Sequence, residues 1–137
     1  MRKILLFIFT LFTFSFATSQ GNLQFNNVLT MSFEASAGNT DVKTITVPSG
    51  QVLKITSATC SHTSNTNYND NQFLNFKETT NPYYTLLATG REGTIKYVSE
   101  TFPVWLKAGN YDFKFNNLQG AGTGTAIMTG IYFNIIQ

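Results

Sequence analysis

Hydrophobic and polar side chains alternate along residues 23–35, with Leu23, Phe25, Leu29, Met31 and Phe33 on odd positions and mostly polar residues on even ones. Successive side chains of a β-strand point to opposite faces, so this period of two predicts a strand with one apolar face. The alternation slips at Asn27 and Val28, and the run is long for one strand. Both features predict a bulge or bend near Asn27. The same period recurs downstream. Strands are predicted over 42–47 and 52–59, separated by Pro48-Ser49-Gly50, and Gly38-Asn39-Thr40-Asp41 reads as the turn before them. Shorter strands follow around 73–77, 83–88 and 94–98, with an extended segment at 102–106. Residues 111–116 alternate without exception, which sets Tyr111, Phe113 and Phe115 on the inward face. A last strand spans 126–136. No window after residue 20 keeps the 3.6-residue period of an amphipathic helix.

About eight short strands separated by Gly, Pro and Asn turns predict an all-β chain, a jelly-roll-like antiparallel β-sandwich. No repeat or linker divides residues 20–137, so they are expected to form one domain. The last strand differs from the others. Ile127, Thr129, Ile131, Phe133 and Ile135 share one face; Met128, Gly130, Tyr132, Asn134 and Ile136 share the other. A strand apolar on both faces is covered on both. Either a further layer of the same chain covers the second face, or a neighbouring copy does, which makes 126–136 a candidate homo-oligomer interface.

Residues 1–19 follow another pattern. Arg2 and Lys3 precede an apolar run from Ile4 to Phe16, and Ala17-Thr18-Ser19 supplies the small residues of a cleavage site. Basic, apolar, then small is the layout of a signal peptide, and a spanning helix needs a longer apolar stretch. No cysteine follows to carry a lipid, so no membrane anchor is expected. The chain is expected outside the cytoplasm: secreted, periplasmic or at the cell surface. Arg2 and Lys3 also account for the formal charge of +2; without them the basic residues equal the seven acidic ones in number. A neutral domain lacks the basic stripe of a nucleic-acid binder. Cys60 is the only cysteine. No intrachain disulfide is possible, and the lone thiol is either buried or a route to a covalent dimer.

Several segments carry a resemblance. Gln24-Phe25-Asn26 opens the domain, and Thr46-Val47-Pro48-Ser49-Gly50-Gln51-Val52-Leu53-Lys54-Ile55 follows in its first third. Phe102-Pro103-Val104-Trp105-Leu106-Lys107-Ala108-Gly109 lies in its second half, and Phe133-Asn134-Ile135-Ile136 closes it. This arrangement resembles small secreted β-sandwich proteins of flavobacteria-type Gram-negative bacteria. More loosely, the strand order is similar to that of complement/tumour-necrosis-factor-type trimeric domains and of carbohydrate-binding modules. The resemblance implies fold and compartment and transfers no active site.

Candidate chemistry is sparse. His62, the only histidine, stands two residues after Cys60, so a thiolate–imidazole pair is conceivable on one strand face. The plainer reading is a buried thiol and a solvated loop histidine. One His and one Cys do not make a zinc site. Glu34, Asp41, Asp70, Glu78, Glu92, Glu100 and Asp112 offer carboxylates for glycoside hydrolysis only if two of them converge. The loop 65–71 alternates side-chain oxygens, which suits a weak calcium site completed by Asp41, or a merely flexible polar loop. Gly120-Ala121-Gly122-Thr123-Gly124 lacks the lysine and helix of a phosphate loop and is expected to connect a hairpin. Trp105 is expected in the core.

Aromatics beside amides are the stronger lead. Tyr68, Tyr83 and Tyr84 stand near Asn65, Asn67, Asn69, Asp70 and Asn81 in polar loops. A phenol ring flanked by amide donors and acceptors suits stacking against a sugar. Adjacent residues on a strand point to opposite faces, so one of Tyr83 and Tyr84 is expected to pack inside. The chain is thus expected to be a non-enzymatic binding module for a glycan or cell-envelope polymer, with Tyr68, Tyr83, Tyr84, Asn65, Asn67, Asn69 and Asp70 as its contact surface and no cofactor or metal. The alternatives are a structural subunit of a symmetric, trimer-like homo-oligomer and a small glycan-active enzyme.

Overall fold

A computed structural model describes residues 22–62, 71–91, 103–118 and 122–136. Eight strands account for most of them: β1 (Asn22–Ser36), β2 (Thr40–Val47), β3 (Gln51–His62), β4 (Asn71–Glu78), β5 (Thr85–Arg91), β6 (Val104–Leu106), β7 (Gly109–Asn117) and β8 (Thr123–Ile136). They form two antiparallel four-stranded sheets, β1-β8-β3-β6 and β2-β7-β4-β5. Wrapping the antiparallel pairs around one another in this order is a jelly roll, so the expected β-sandwich is the observed architecture. The strand expected over 94–98 lies outside the described residues. The connection after β7 is not a hairpin, because β7 and β8 belong to different sheets and the chain crosses the sandwich between them.

The inward faces follow the period of two. Phe33, Leu53, Ile55, Leu74, Leu87, Phe113, Phe115 and Met128 are all but fully buried between the sheets. Each is worth roughly 1.5–3 kcal/mol relative to exposure. Phe76 and Phe113 stack with ring centroids 5.8 Å apart. Two tight turns use glycine where a β-carbon would strain the backbone. Asn39 N–H donates to Ser36 O across Gly38 (φ 75°), and Gln51 N–H donates to Pro48 O across Gly50 (φ 77°). A positive φ at the third turn position is the geometry of a type II turn.

The bulge near Asn27 is present. The β1–β8 register shifts between Phe25 and Asn27. Its consequence reverses the simple reading of parity: Leu29, Met31 and Phe33 face the core, whereas Phe25 pairs with Phe133 on the outer face and is 60% exposed. Trp105 also departs from expectation. It lies on the short strand β6, paired with Lys54, and faces outward at 48% exposure. The Lys54 ammonium stands 5.3 Å from the Trp105 ring centroid, and the ring is 5.8 Å from Phe133.

β1 is an edge strand, which leaves a row of unpaired backbone groups open to another chain. Side chains from β2 cap part of that row. Glu34 N–H donates to Asp41 Oδ2 at 3.2 Å, and Lys43 Nζ donates to Ser32 O. The Lys43–Asp41 ion pair (3.8 Å) holds the two caps together.

Candidate functional site

The outward face of the β2-β7-β4-β5 sheet mixes polar side chains with Val42, Phe73 and Leu86 and is built by register. Thr44 pairs with Asp112, and Asp112 with Lys77, in one row; Val42 pairs with Lys114, Lys114 with Asn75, and Asn75 with Leu86, in the next. Each strand supplies these residues as the outward half of an alternating run whose inward half, Phe113 and Phe115 on β7, is core. Thr44 Oγ1 donates to Asp112 Oδ1 at 2.8 Å, and Lys77 Nζ lies 4.0 Å from Asp112 Oδ2.

Tyr84 joins this face. It precedes β5, in a segment anchored where Tyr83 N–H donates to Asn81 Oδ1 at 3.0 Å. The Lys77 and Lys114 ammonium groups lie 5.2 and 5.9 Å from the Tyr84 ring centroid. Interactions of this kind are worth about 0.5–1 kcal/mol at exposed sites, enough to orient a ring. Tyr84 keeps 42% of its surface exposed, and Tyr83 keeps 79%. The expectation that one tyrosine packs inside is therefore corrected: both precede the strand, where the alternation of faces does not apply. Tyr68, Asn65, Asn67, Asn69 and Asp70 lie outside the described residues, as does the calcium loop read over 65–71.

Lys77, Lys114, Asn75 and Thr44 were not among the sequence-based candidates. The signal for them was present, since Asn75 and Lys77, like Asp112 and Lys114, hold the polar positions of alternating strands. What the sequence lacks is the register that sets β4 beside β7, a pairing that brings Gln72 opposite Asn117.

The opposite outer face, on β1-β8-β3-β6, is apolar at one end and hydroxyl-rich at the other, where Ser57 meets Thr129 and Ser61 meets Thr125. Leu23 pairs with Ile135, Phe25 with Phe133 and Val28 with Ile131. Of these, Leu23, Phe25, Val28 and Ile135 are exposed, together with Ile127 and Trp105. The face of β8 that packs into the core is the one bearing Ala126, Met128 and Tyr132. No third layer covers the other face among the described residues.

The remaining candidates separate. Cys60 is fully buried, and desolvation pushes its thiol up to about 12, only partly offset by a hydrogen bond from the Leu74 backbone. At neutral pH it is protonated and is no nucleophile. His62 lies on the same strand as Cys60, and its side chain is outside the described residues. Glu34 and Asp112 stand on the outer faces of opposite sheets and point away from each other. An open groove of ≈ 360 Å³ beside the β1 edge is lined by Ser32, Glu34, Asp41, Lys43, Thr125 and Ile127 among others. Its Asp41 carboxylate is committed to capping the strand. Among the described residues no three His, Cys, Asp or Glu side chains gather to hold a metal ion.

No family model and no curated protein matches the chain. Among solved structures it is similar to the core of Drosophila NLP, a protein described in terms of pentamer formation and histone binding. The TM-score is 0.54 at 16% identity, covering 78% of this chain and 98% of that one. At that identity the similarity speaks to the shared fold.

Proposed function

We propose that the chain is a non-enzymatic binding module that acts outside the cytoplasm and holds a glycan or cell-envelope polymer on the outer face of the β2-β7-β4-β5 sheet. The observation that carries this reading is the position of Tyr84: a half-exposed ring laid beside a sheet face of amide, hydroxyl and ammonium groups. Sugars present an apolar C–H face and a rim of hydroxyls, and recognition needs a ring for the first and directional polar groups for the second. Tyr84 supplies the ring; Asn75, Thr44, Lys77 and Lys114 supply the rim. Tyr83, the most exposed large side chain beside it, extends the surface.

Tyr84→Ala and Tyr83→Ala are each expected to weaken binding to a glycan selected on an array by about tenfold, which corresponds to about 1.4 kcal/mol for removal of one stacking ring. Neither side chain is core, so Tm is expected to move by less than about 2 °C, as for a surface change. Large drops in Tm with both variants would show instead that the tyrosines hold the fold and would remove them as ligand-binding residues.

A second reading, a structural subunit of a homo-oligomer, is favoured by one observation. One end of the outer face of β1-β8-β3-β6 exposes Leu23, Phe25, Val28, Ile135 and Trp105, and apolar surface of this kind marks interfaces. The two faces lie on opposite sides of the sandwich, so assembly through one leaves the other open.

A further inference from the structure

We infer that the glycan held at Tyr84 is anionic, a polymer carrying carboxylate or sulfate-ester groups, with Lys114 as the residue that selects it. This rests on the glycan reading above and narrows it to a chemical class. Three observations converge. First, the outer face of β2-β7-β4-β5 carries three described charges, Lys77, Asp112 and Lys114, brought side by side by the β7–β4 register. Second, the Asp112 carboxylate is already engaged, accepting from Thr44 and facing Lys77. Lys114 has no carboxylate within ion-pair distance among the described residues; its ammonium group lies only against the Tyr84 ring. Among the described residues the unpaired charge of this face is therefore positive. Third, that charge is not out in solvent at the end of a loose side chain. It is held 5.9 Å from the centre of the Tyr84 ring, with a second ammonium at 5.2 Å.

The consequence for a ligand is geometric. A sugar lying against Tyr84 brings its ring substituents within reach of both lysines. A neutral sugar offers them hydroxyls, for which water competes on equal terms. A carboxylate or sulfate offers a charge-assisted hydrogen bond, shorter and about twice as strong as a neutral one. Ammonium groups resting against an aromatic ring have shed part of their water, which favours an anion over a hydroxyl further. A nucleic acid would also bring an anion and a stackable ring, but a formally neutral domain whose described sheet face sets only Lys77 and Lys114 beside the ring lacks the row of cations that a phosphate backbone recruits.

The test is equilibrium binding of the exported chain to four soluble probes: a polyuronate, a sulfated galactan, a neutral glucan and a thymidine oligonucleotide, each at low and high NaCl. The expected result is binding to an acidic polysaccharide that weakens with salt. Lys114→Gln is expected to reduce it about tenfold, as removal of one charge-assisted hydrogen bond would, while Lys114→Arg retains it and Tm stays unchanged for both. Which acidic polymer binds identifies the acid group. Equal affinity for the neutral glucan, or wild-type affinity of Lys114→Gln for the acidic polymers, would overturn the inference and leave the glycan reading standing. Tightest binding to the oligonucleotide would overturn it in favour of a nucleic-acid partner. Binding to none of the four would overturn this inference, whereas the array experiment with the tyrosine variants decides the broader reading on its own.

Discussion

Cys60 illustrates how far one side chain's surroundings determine its chemistry. It sits on the inward face of β3 opposite Ala126, fully buried, and the low-dielectric core disfavours the thiolate. The thiol pKa is raised from 9.0 to about 12. Between those values the unfolded chain releases the proton and the folded chain keeps it, so unfolding is favoured as pH rises. The stabilising effect of a neutral thiol is intact below pH 9 and is lost at roughly 1.4 kcal/mol per pH unit between pH 9 and 12. Tyr111 and Tyr132, raised above 10.0 chiefly by burial, add to the loss only at higher pH. Melting curves between pH 8.5 and 9.8 should therefore show Tm falling for the wild type and a flatter profile for Cys60→Ala, whatever the offset between the two. Parallel profiles would mean that the buried thiol is not the titrating group. The same burial resolves the choice left open by a lone cysteine in favour of an inaccessible thiol.

The strands were legible because a period of two survives wherever one face is buried. β1, β7 and β8 could be read almost to their ends, and Tyr111, Phe113 and Phe115 face the core as their spacing requires. Two kinds of information were not legible. One is the effect of a single inserted residue: the bulge at Asn26 moves Phe25 to the opposite face from Leu29, although both hold odd positions. The other is pairing between distant strands. Trp105 looks like a core residue beside Val104 and Leu106, and only its pairing with Lys54 on β3 turns it outward. Both surprises land on the same apolar face. If that face is an interface, residues 20–137 should run above monomer mass in light scattering with reductant present. Phe25→Asp combined with Ile135→Asp should return them to monomer, since removing each buried apolar side chain weakens association by at least about tenfold. Tm should change little in a monomer-stable fold because both residues are exposed. A monomeric wild type would contradict the structural-subunit reading.

The whole molecule presents two unlike surfaces on one sandwich. A sheet packed on only one side must give its second face to solvent or to a partner. Here β2-β7-β4-β5 gives solvent a mixed face with Tyr83 and Tyr84 beside it, and β1-β8-β3-β6 offers one apolar end. The candidate site was half legible from sequence. Tyr83 and Tyr84 were found by their polar, amide-rich setting, whereas Lys77 and Lys114 became part of it only when β4 and β7 were set side by side. The most direct test maps the ligand onto the fold. Amide chemical shifts should be followed while soluble acidic and neutral oligosaccharides are titrated into the isotope-labelled chain. The account predicts that shifts cluster at Asn75, Lys77, Tyr84, Asp112 and Lys114 and spare Phe25, Ile127 and Phe133. Shifts confined to the apolar face, or none with any oligosaccharide, would contradict it.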